Sequence, residues 1–283
     1  MAKKIKYRPI EEFENQVFNE DIFKLLDRLP PKSIDCIFSD PDYNVGIKYN
    51  TKSYTIKYEA YIKWYIQLAK KSLRVLKDTG NLFFINYPQQ NSYLRVKYLD
   101  KACYDVLDYS WVYNSNVGQT SRRFTTAHRS VLHCTKSKDN NFYKDNVAQP
   151  YKNPTDRRIL ENIANGSLGC MPYSWFYFDL VKNVSKEKTM HACQIPQKLS
   201  ELLIKSCTQE NDTVLIHFGG SGAEIDVCRR NRRKFIAAEL DTEYFNLIND
   251  RITKGFIDVK YKLDMKKETV NELNLFSSYK VSE

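Results

Sequence analysis

A chain of 283 residues with 28% charged and 42% hydrophobic residues and a mean hydropathy of −0.57 has the composition of a water-soluble globular protein with ample core. Nowhere do about 18 apolar residues run together, and no apolar segment follows the basic start Met1-Ala2-Lys3-Lys4, so neither a membrane span nor a secretory leader is expected and the chain is predicted to be cytoplasmic. The excess of 44 Lys+Arg over 34 Asp+Glu gives +10 and favours a polyanionic partner, nucleic acid first, while seven scattered cysteines without metal-ligand spacing exclude a disulfide framework or a zinc site and read as free thiols.

The predicted elements alternate from the start. A short strand at Val17-Phe18 leads through Asn19-Glu20-Asp21 into a helix over Ile22 to Leu29, where Asp21 is either the helix cap or a ligand contact. After the Pro30-Pro31 break, Ile34 to Ser39 is a buried strand, and Asp40-Pro41-Asp42-Tyr43 follows at its C-terminal end. Ligands of open α/β sheets sit at that edge. Proline fixes its own φ and keeps the preceding residue extended, so a carboxylate and an aromatic are presented on a stiff loop. An ordinary Asp-Pro turn would look the same locally. Residues 44 to 58 read as a polar, Tyr-rich loop over the cleft.

Apolar positions recur at helical spacing from Glu59 to Leu76, Lys77-Asp78-Thr79-Gly80 reads as the helix end, and Leu82 to Asn86 as a buried strand parallel to the first. A helix around Ser92 to Ala102 and strands around Tyr109 to Tyr113 and Ser130 to Cys134 continue the alternation. Residues 136 to 188 break it, being rich in Lys, Asn, Tyr and Pro with one apolar run at Trp175-Phe176-Tyr177-Phe178, and read as an inserted recognition region. The pattern then returns: a helix over Pro196 to Cys207, a strand at Val214 to Ile216, the glycine-rich turn Phe218-Gly219-Gly220-Ser221-Gly222, a helix over Ala223 to Arg230, a strand at Phe235 to Ala238 ending at Glu239, and a helix over Tyr244 to Ile252. A glycine-rich turn into a helix lets a ligand approach the backbone, and an acid some 20 residues on can accept from ribose hydroxyls. The third glycine of a dinucleotide fingerprint is missing, so a nucleoside without phosphates fits better than a nicotinamide dinucleotide.

In this order the motifs resemble the S-adenosylmethionine-dependent DNA amino-methyltransferases of restriction-modification systems, β-class: an Asp-Pro-Pro-Tyr loop first, then a target-recognition region, a helix start carrying His and Pro, and a Phe-x-Gly-x-Gly cofactor loop. The likeness covers about residues 15 to 252. It implies an α/β, doubly wound, Rossmann-like sheet, with residues 15–135 as the catalytic half, 136–188 as the target-recognition insert, 189–252 as the cofactor half and 253–283 as an extension. It further implies that Asp40 and the Pro41 carbonyl accept from the amino group of an extruded base on which Tyr43 stacks. Phe218, Gly220, Ser221 and Gly222 would line S-adenosyl-L-methionine, Glu239 its ribose, Asp21 its adenine, and His191, Gln194 and Pro196 its methionine end. Asp at position 40 implies adenine N6 rather than cytosine N4. Arg122, Arg123, His128, Arg129, Lys152, Arg157 and Arg158 would meet double-stranded DNA, and a cognate restriction endonuclease and a homodimer are expected partners.

Three departures leave alternatives open: Asp42 replaces the second proline, Ile216-His217 replaces an Asp-Pro before Phe218, and His191-Ala192-Cys193-Gln194-Ile195-Pro196 differs from His-Pro-x-x-x-Pro. Cytosine N4 or RNA as substrate, and a nucleic-acid binder that has lost catalysis, are those alternatives. His217 is expected to be a satisfied histidine beneath the loop.

Overall fold

The computed structural model describes residues 7–49, 52–114, 121–182 and 185–262. β1 (Gln16–Phe18) leads through α1 (Ile22–Arg28) to β2 (Ile34–Ser39); a small ribbon, β3 (Lys48–Tyr49) and β4 (Lys52–Ser53), precedes α2 (Tyr58–Val75), and β5 (Leu76–Asn86) follows directly. α3 (Pro88–Leu94) continues through a π turn (Arg95–Leu99) into α4 (Asp100–Ala102), and β6 (Asp105–Val112) and β7 (His128–Thr135) come next. α5 (Arg157–Ala164) and β8 (Trp175–Tyr177) lie in the region read as an insert, after which α6 (Gln197–Cys207), β9 (Thr213–Ile216), α7 (Ala223–Arg230), β10 (Lys234–Ala238) and α8 (Thr242–Lys254) alternate.

Eight strands form one sheet in the order β1-β10-β9-β2-β5-β7-β6-β8, and the first five of these are mutually parallel. The central strands are buried on both faces because alternate side chains enter different cores. Ile34 and Ile37 of β2, Leu82 and Phe84 of β5 and Leu215 of β9 pack with Leu25, Leu26, Tyr65 and Leu68 of α1 and α2. Cys36, Phe38, Phe83, Ile85, Val214 and Ile216 pack with Leu199, Leu203, Ile225 and Val227 of α6 and α7 on the opposite side. The doubly wound arrangement expected from the motif order is therefore present.

Two local readings are corrected. Residues 77–80 are not a helix-ending turn: α2 stops at Val75, and these residues bulge within β5 between the pairs Ile34↔Leu76 and Cys36↔Asn81. The bulge exists to serve a buried acid. It brings Lys77 Nζ to 2.7 Å from Asp35, whose other carboxylate oxygen accepts from Thr213 N at 3.0 Å. A Cβ on Gly80 would sit 2.8 Å from the Asp35 carbonyl oxygen, so Gly80→Ala is expected to cost about 1–3 kcal/mol, read as a lower urea midpoint. The second correction concerns β6 and β7, which pair antiparallel with each other, β7 also running antiparallel to β5. The alternation stops there because antiparallel pairing needs no crossover helix. Among the described residues no helix is long and apolar enough to cross a membrane.

Candidate active site

The topology places the loops after β2 and β9 side by side, although their sequences are far apart. β2 and β9 are neighbours in parallel register, and His217 N donates to Phe38 O at 3.1 Å where both strands end. On the other side of β9, β10 ends at Glu239, whose N–H donates to Phe18 O at 2.9 Å, while Asn19 Nδ2 donates back to Glu239 O at 2.9 Å. Asp40, the glycine-rich turn, Glu239 and Asp21 thus open on one edge of the sheet, and a cavity of about 280 Å³ is lined by all four.

The catalytic-loop candidate is held at many points. Asp42 Oδ1 accepts from Asn44 N at 2.8 Å, an Asx turn that gives the loop the stiffness a second proline would have supplied. Tyr61 of α2 donates to Asp42 O at 2.7 Å and is itself held by Asn86 Nδ2 at 2.8 Å. Gln90 Nε2 donates to Tyr43 O at 2.8 Å, and the Asn44 side chain ties the loop to Ile56 through 2.7 Å and 3.0 Å bonds. Tyr43 donates its hydroxyl to Asp40 Oδ1 at 2.6 Å. Its ring is only 1% exposed, so a base has no access to its face here, and the expected stacking role is corrected: the hydroxyl orients Asp40 instead.

Burial pushes the Asp40 carboxyl up to about 8, with Glu224 and Asp42 adding to the shift and the Tyr43 hydroxyl and Arg129 opposing it. Burial likewise raises Asp42, Glu224 and Glu239 above the usual carboxylate range. His191, buried beside Lys188, is lowered to about 4, and His217 to about 3 by burial alone, so both are neutral. His217 is satisfied by Ser39 Oγ at 2.9 Å and Ser72 Oγ at 3.3 Å, as its sequence context suggested.

The glycine-rich turn is shaped by backbone that side chains avoid. Gly220 (φ +52°) and Gly222 (φ +72°) are both left-handed, and Gly220 N donates to Glu239 Oε2 at 2.8 Å while Asp241 N donates to Oε1 at 2.8 Å. A Cβ on Gly220 would come within 3.1 Å of His191 Nε2, so the chain and the imidazole form a narrow cradle. His191, Gln194, Phe218 and Ser221 line the cavity with Gly220. Gly222 instead caps α7 from behind the turn, and Pro196 caps α6 away from the cavity wall. Asp21 is the α1 cap, accepting from Phe23 N at 2.8 Å, and it also lines the cavity.

Of the residues expected at nucleic acid, Arg122, Arg123, His128, Lys152, Arg157 and Arg158 are exposed. Lys152 lies over Tyr173, which stacks on Trp175 at 6.3 Å, and Arg157 and Arg158 open helix α5. Arg129 does not belong with them. It is 7% exposed, its guanidinium lying 3.8 Å from the Tyr87 ring centroid, because β7 turns the side chain inward beneath the catalytic loop.

Sequence reasoning missed several walls of the cavity: Glu224 in the first turn of α7, Cys193, Tyr49 and Tyr54 of the ribbon region, Tyr61 and Trp64 of α2, and Tyr244 of α8. Only Glu224 had a signal, as an acid directly after the glycine-rich turn. Among the described residues, seven carboxyl groups (Glu20, Asp21, Asp40, Asp42, Glu224, Glu239 and Asp241) line the cavity and no lysine or arginine does, in a chain of net charge +10. A bound cation would favour the ionised forms of these acids, several of which burial raises, and a phosphate would oppose them.

Comparison with known proteins follows the same lines. The N6/N4 methyltransferase family model, described as DNA methylase, matches residues 34–250. The chain is 27% identical over 245 residues to type II methyltransferase M.HpaI of Haemophilus parainfluenzae, covering 86% of this chain and 76% of the relative. It is 24% identical over 240 residues to the DNA adenine methyltransferase YhdJ of Escherichia coli K12, covering 82% and 80%. Among solved structures, the cytosine-N4-specific PvuII DNA methyltransferase superposes with a TM-score of 0.66 at 20% identity over 93% of each chain, and the M1.HpyAVI-SAM complex with 0.58 at 21% identity over 84% and 98%. At these identities the structural likeness speaks for the fold.

Proposed function

The chain belongs to the S-adenosylmethionine-dependent DNA methylase family, and from that premise we propose that it methylates adenine N6 of a base extruded from duplex DNA, as the modification enzyme of a restriction-modification system. The observation that carries the reading is the shared cavity: Asp40 and the glycine-rich turn face the same space, walled by seven carboxyls. A cationic nucleoside fits that wall, and the cradle at Gly220 leaves room for a ligand where any side chain would meet His191. Glu239 would hold the ribose, Asp21 and Phe218 the adenine side, and His191 and Gln194 the methionine end. When bound, S-adenosylmethionine supplies a methyl group on a sulfonium centre that already favours transfer.

The protein's own work is then positioning and charge. Tyr43 occupies Asp40 Oδ1, which leaves Oδ2 to accept an N–H of the target amine, and the Pro41 carbonyl supports a second bond. Both bonds draw the nitrogen lone pair toward the methyl group, and the ionised Asp40 receives the proton that nitrogen sheds. A carboxylate with a raised affinity for protons suits that last step. Asp40 supports adenine over cytosine. Exposed Arg122, Arg123, His128 and Lys152, with Arg157 and Arg158 of α5, support phosphate contact, and residues 136–188 are proposed to read bases. The Asx turn at Asp42 and the satisfied His217 argue against a relic, since two of the three departures from the family motif have structural compensation.

Expression in a host lacking adenine methylation, followed by single-molecule sequencing of host DNA, tests the reading. N6-methyladenine confined to one short sequence is expected; N4-methylcytosine would overturn the choice of base, and unmodified DNA from folded protein would overturn the DNA-modifying role. Single-turnover transfer is expected to rise with pH, because the ionised form of Asp40 is the accepting one. The midpoint should lie at or below about 8, since a bound cation favours ionisation. A flat profile between pH 5.5 and 9 would remove Asp40 from the proton path.

A further inference from the structure

Arg129 is a buried cation without an acidic partner. Its side chain makes no ion pair among the described residues, its Nε has no hydrogen-bond partner, and its guanidinium sits among three tyrosines, with ring centroids 3.8 Å (Tyr87), 5.1 Å (Tyr43) and 5.2 Å (Tyr113) away. Nη1 donates to the Tyr113 hydroxyl. Burying a guanidinium in this way is costly, and the aromatic faces offset only part of it. Tyr43 is the shared member of two contacts: its face receives the Arg129 charge and its hydroxyl holds Asp40 Oδ1 at 2.6 Å. Tyr87 closes the assembly, edge-on to Tyr43 at 5.4 Å.

We propose that Arg129 is a positioning residue for the methyl-transfer step, acting through Tyr43 to fix Asp40 and to favour its ionised form beside the other acids of the cavity. The inference rests on the role given to Asp40 above. The field at Asp40 is otherwise unfavourable. Glu224 from α7 and Asp42 from its own loop oppose its charge, while Tyr43, Tyr49, Tyr61 and Tyr65 and the Cys193 thiol, whose titration burial pushes upward, are uncharged neighbours. Arg129 is the positive group that faces it, and the strand position that carries it, the second residue of β7, is fixed by pairing with Trp111 of β6. A phosphate-binding arginine would lie on the surface; this one cannot reach it without opening the tyrosine cage.

The test uses the full-length protein and the variants Arg129→Met, Arg129→Lys and Tyr113→Phe, the last two guarding against misfolding of the first. Carboxyl-carbon NMR of Asp40 in the cofactor-free protein is expected to show the titration midpoint rising by one unit or more in Arg129→Met, rising less in Tyr113→Phe and returning toward wild type in Arg129→Lys. Single-turnover transfer at pH 7 should fall at least tenfold in Arg129→Met, with the acid limb moved to higher pH and DNA affinity within twofold of wild type. An unmoved Asp40 midpoint in folded Arg129→Met or Tyr113→Phe overturns the proposal, as does a loss of DNA affinity with a shallower salt dependence and unchanged kcat. Wild-type protein that transfers no methyl group would instead overturn the functional reading, and the NMR titration would still decide whether Arg129 governs Asp40.

Discussion

Asp40→Asn is expected to lower methyl transfer by about 10³-fold or more while leaving cofactor binding within a few-fold of wild type. The change is nearly isosteric, and the amide still has an oxygen for the Tyr43 hydroxyl to meet. What it presents at the other position is an NH₂ group, which cannot accept from the target amine or take its proton. The same variant should be more stable than wild type near neutral pH. Burial raises Asp40 from 3.8 to about 8, so the folded state holds a proton that the unfolded state releases across that window, and stability falls as pH rises through it. Removing the ionisable group at pH 8 should therefore raise stability by about 2 kcal/mol, discounted from the full displacement because the carboxyl is partly open to the cavity. For a chain of this size that is on the order of 4–8 °C in Tm. Stopped-assay kinetics and calorimetry on the same preparations check both halves; an active or a destabilised Asp40→Asn protein would show that Asp40 is a structural acid.

The sequence was most legible where chemistry is local. Asp40 to Tyr43 and Phe218 to Gly222 each follow a buried strand directly, so strand patterning, proline and glycine announce them; that the two strands are the parallel neighbours β2 and β9 came only from the structure. Glu239 was legible for the same reason, as the first residue after a strand. The parts that were misread depend on what lies across the sheet. Arg129 sits in a run of basic residues and looked like one more phosphate contact, but strand alternation at β7 points it inward, and nothing local says that three tyrosines from three other segments wait there. Tyr43 looked like a stacking platform because only its neighbours in sequence were visible; its burial is set by Tyr87 and Gln90, more than 40 residues on. Lys77 to Gly80 looked like a helix stop because a bulge answering a buried Asp35 leaves the same signature of charge and glycine.

Glu239→Gln is expected to weaken S-adenosylmethionine binding by about 10²-fold, and the reason lies in the geometry of two donors rather than in the lost charge alone. Gly220 N and Asp241 N each direct an N–H at a different oxygen of the Glu239 carboxylate, at 2.8 Å apiece. Glutamine keeps one oxygen, so one of these buried donors must face an NH₂ group, and the turn has to rearrange around Gly220, where a positive φ and the His191 ring leave little latitude. The acceptor proposed for the ribose is lost in the same substitution. Titration calorimetry with S-adenosylhomocysteine alongside S-adenosylmethionine separates the two contributions, because the thioether shares the ribose but lacks the sulfonium charge. Equal losses for both ligands point to the ribose and the turn; a loss confined to the cation points to the field of the acidic wall. Wild-type affinity for both would remove Glu239 from the cofactor site. At saturating cofactor the variant should recover most of its transfer rate, whereas Asp40→Asn should not, so the two carboxylates separate into one that governs KM for the cofactor and one that governs kcat.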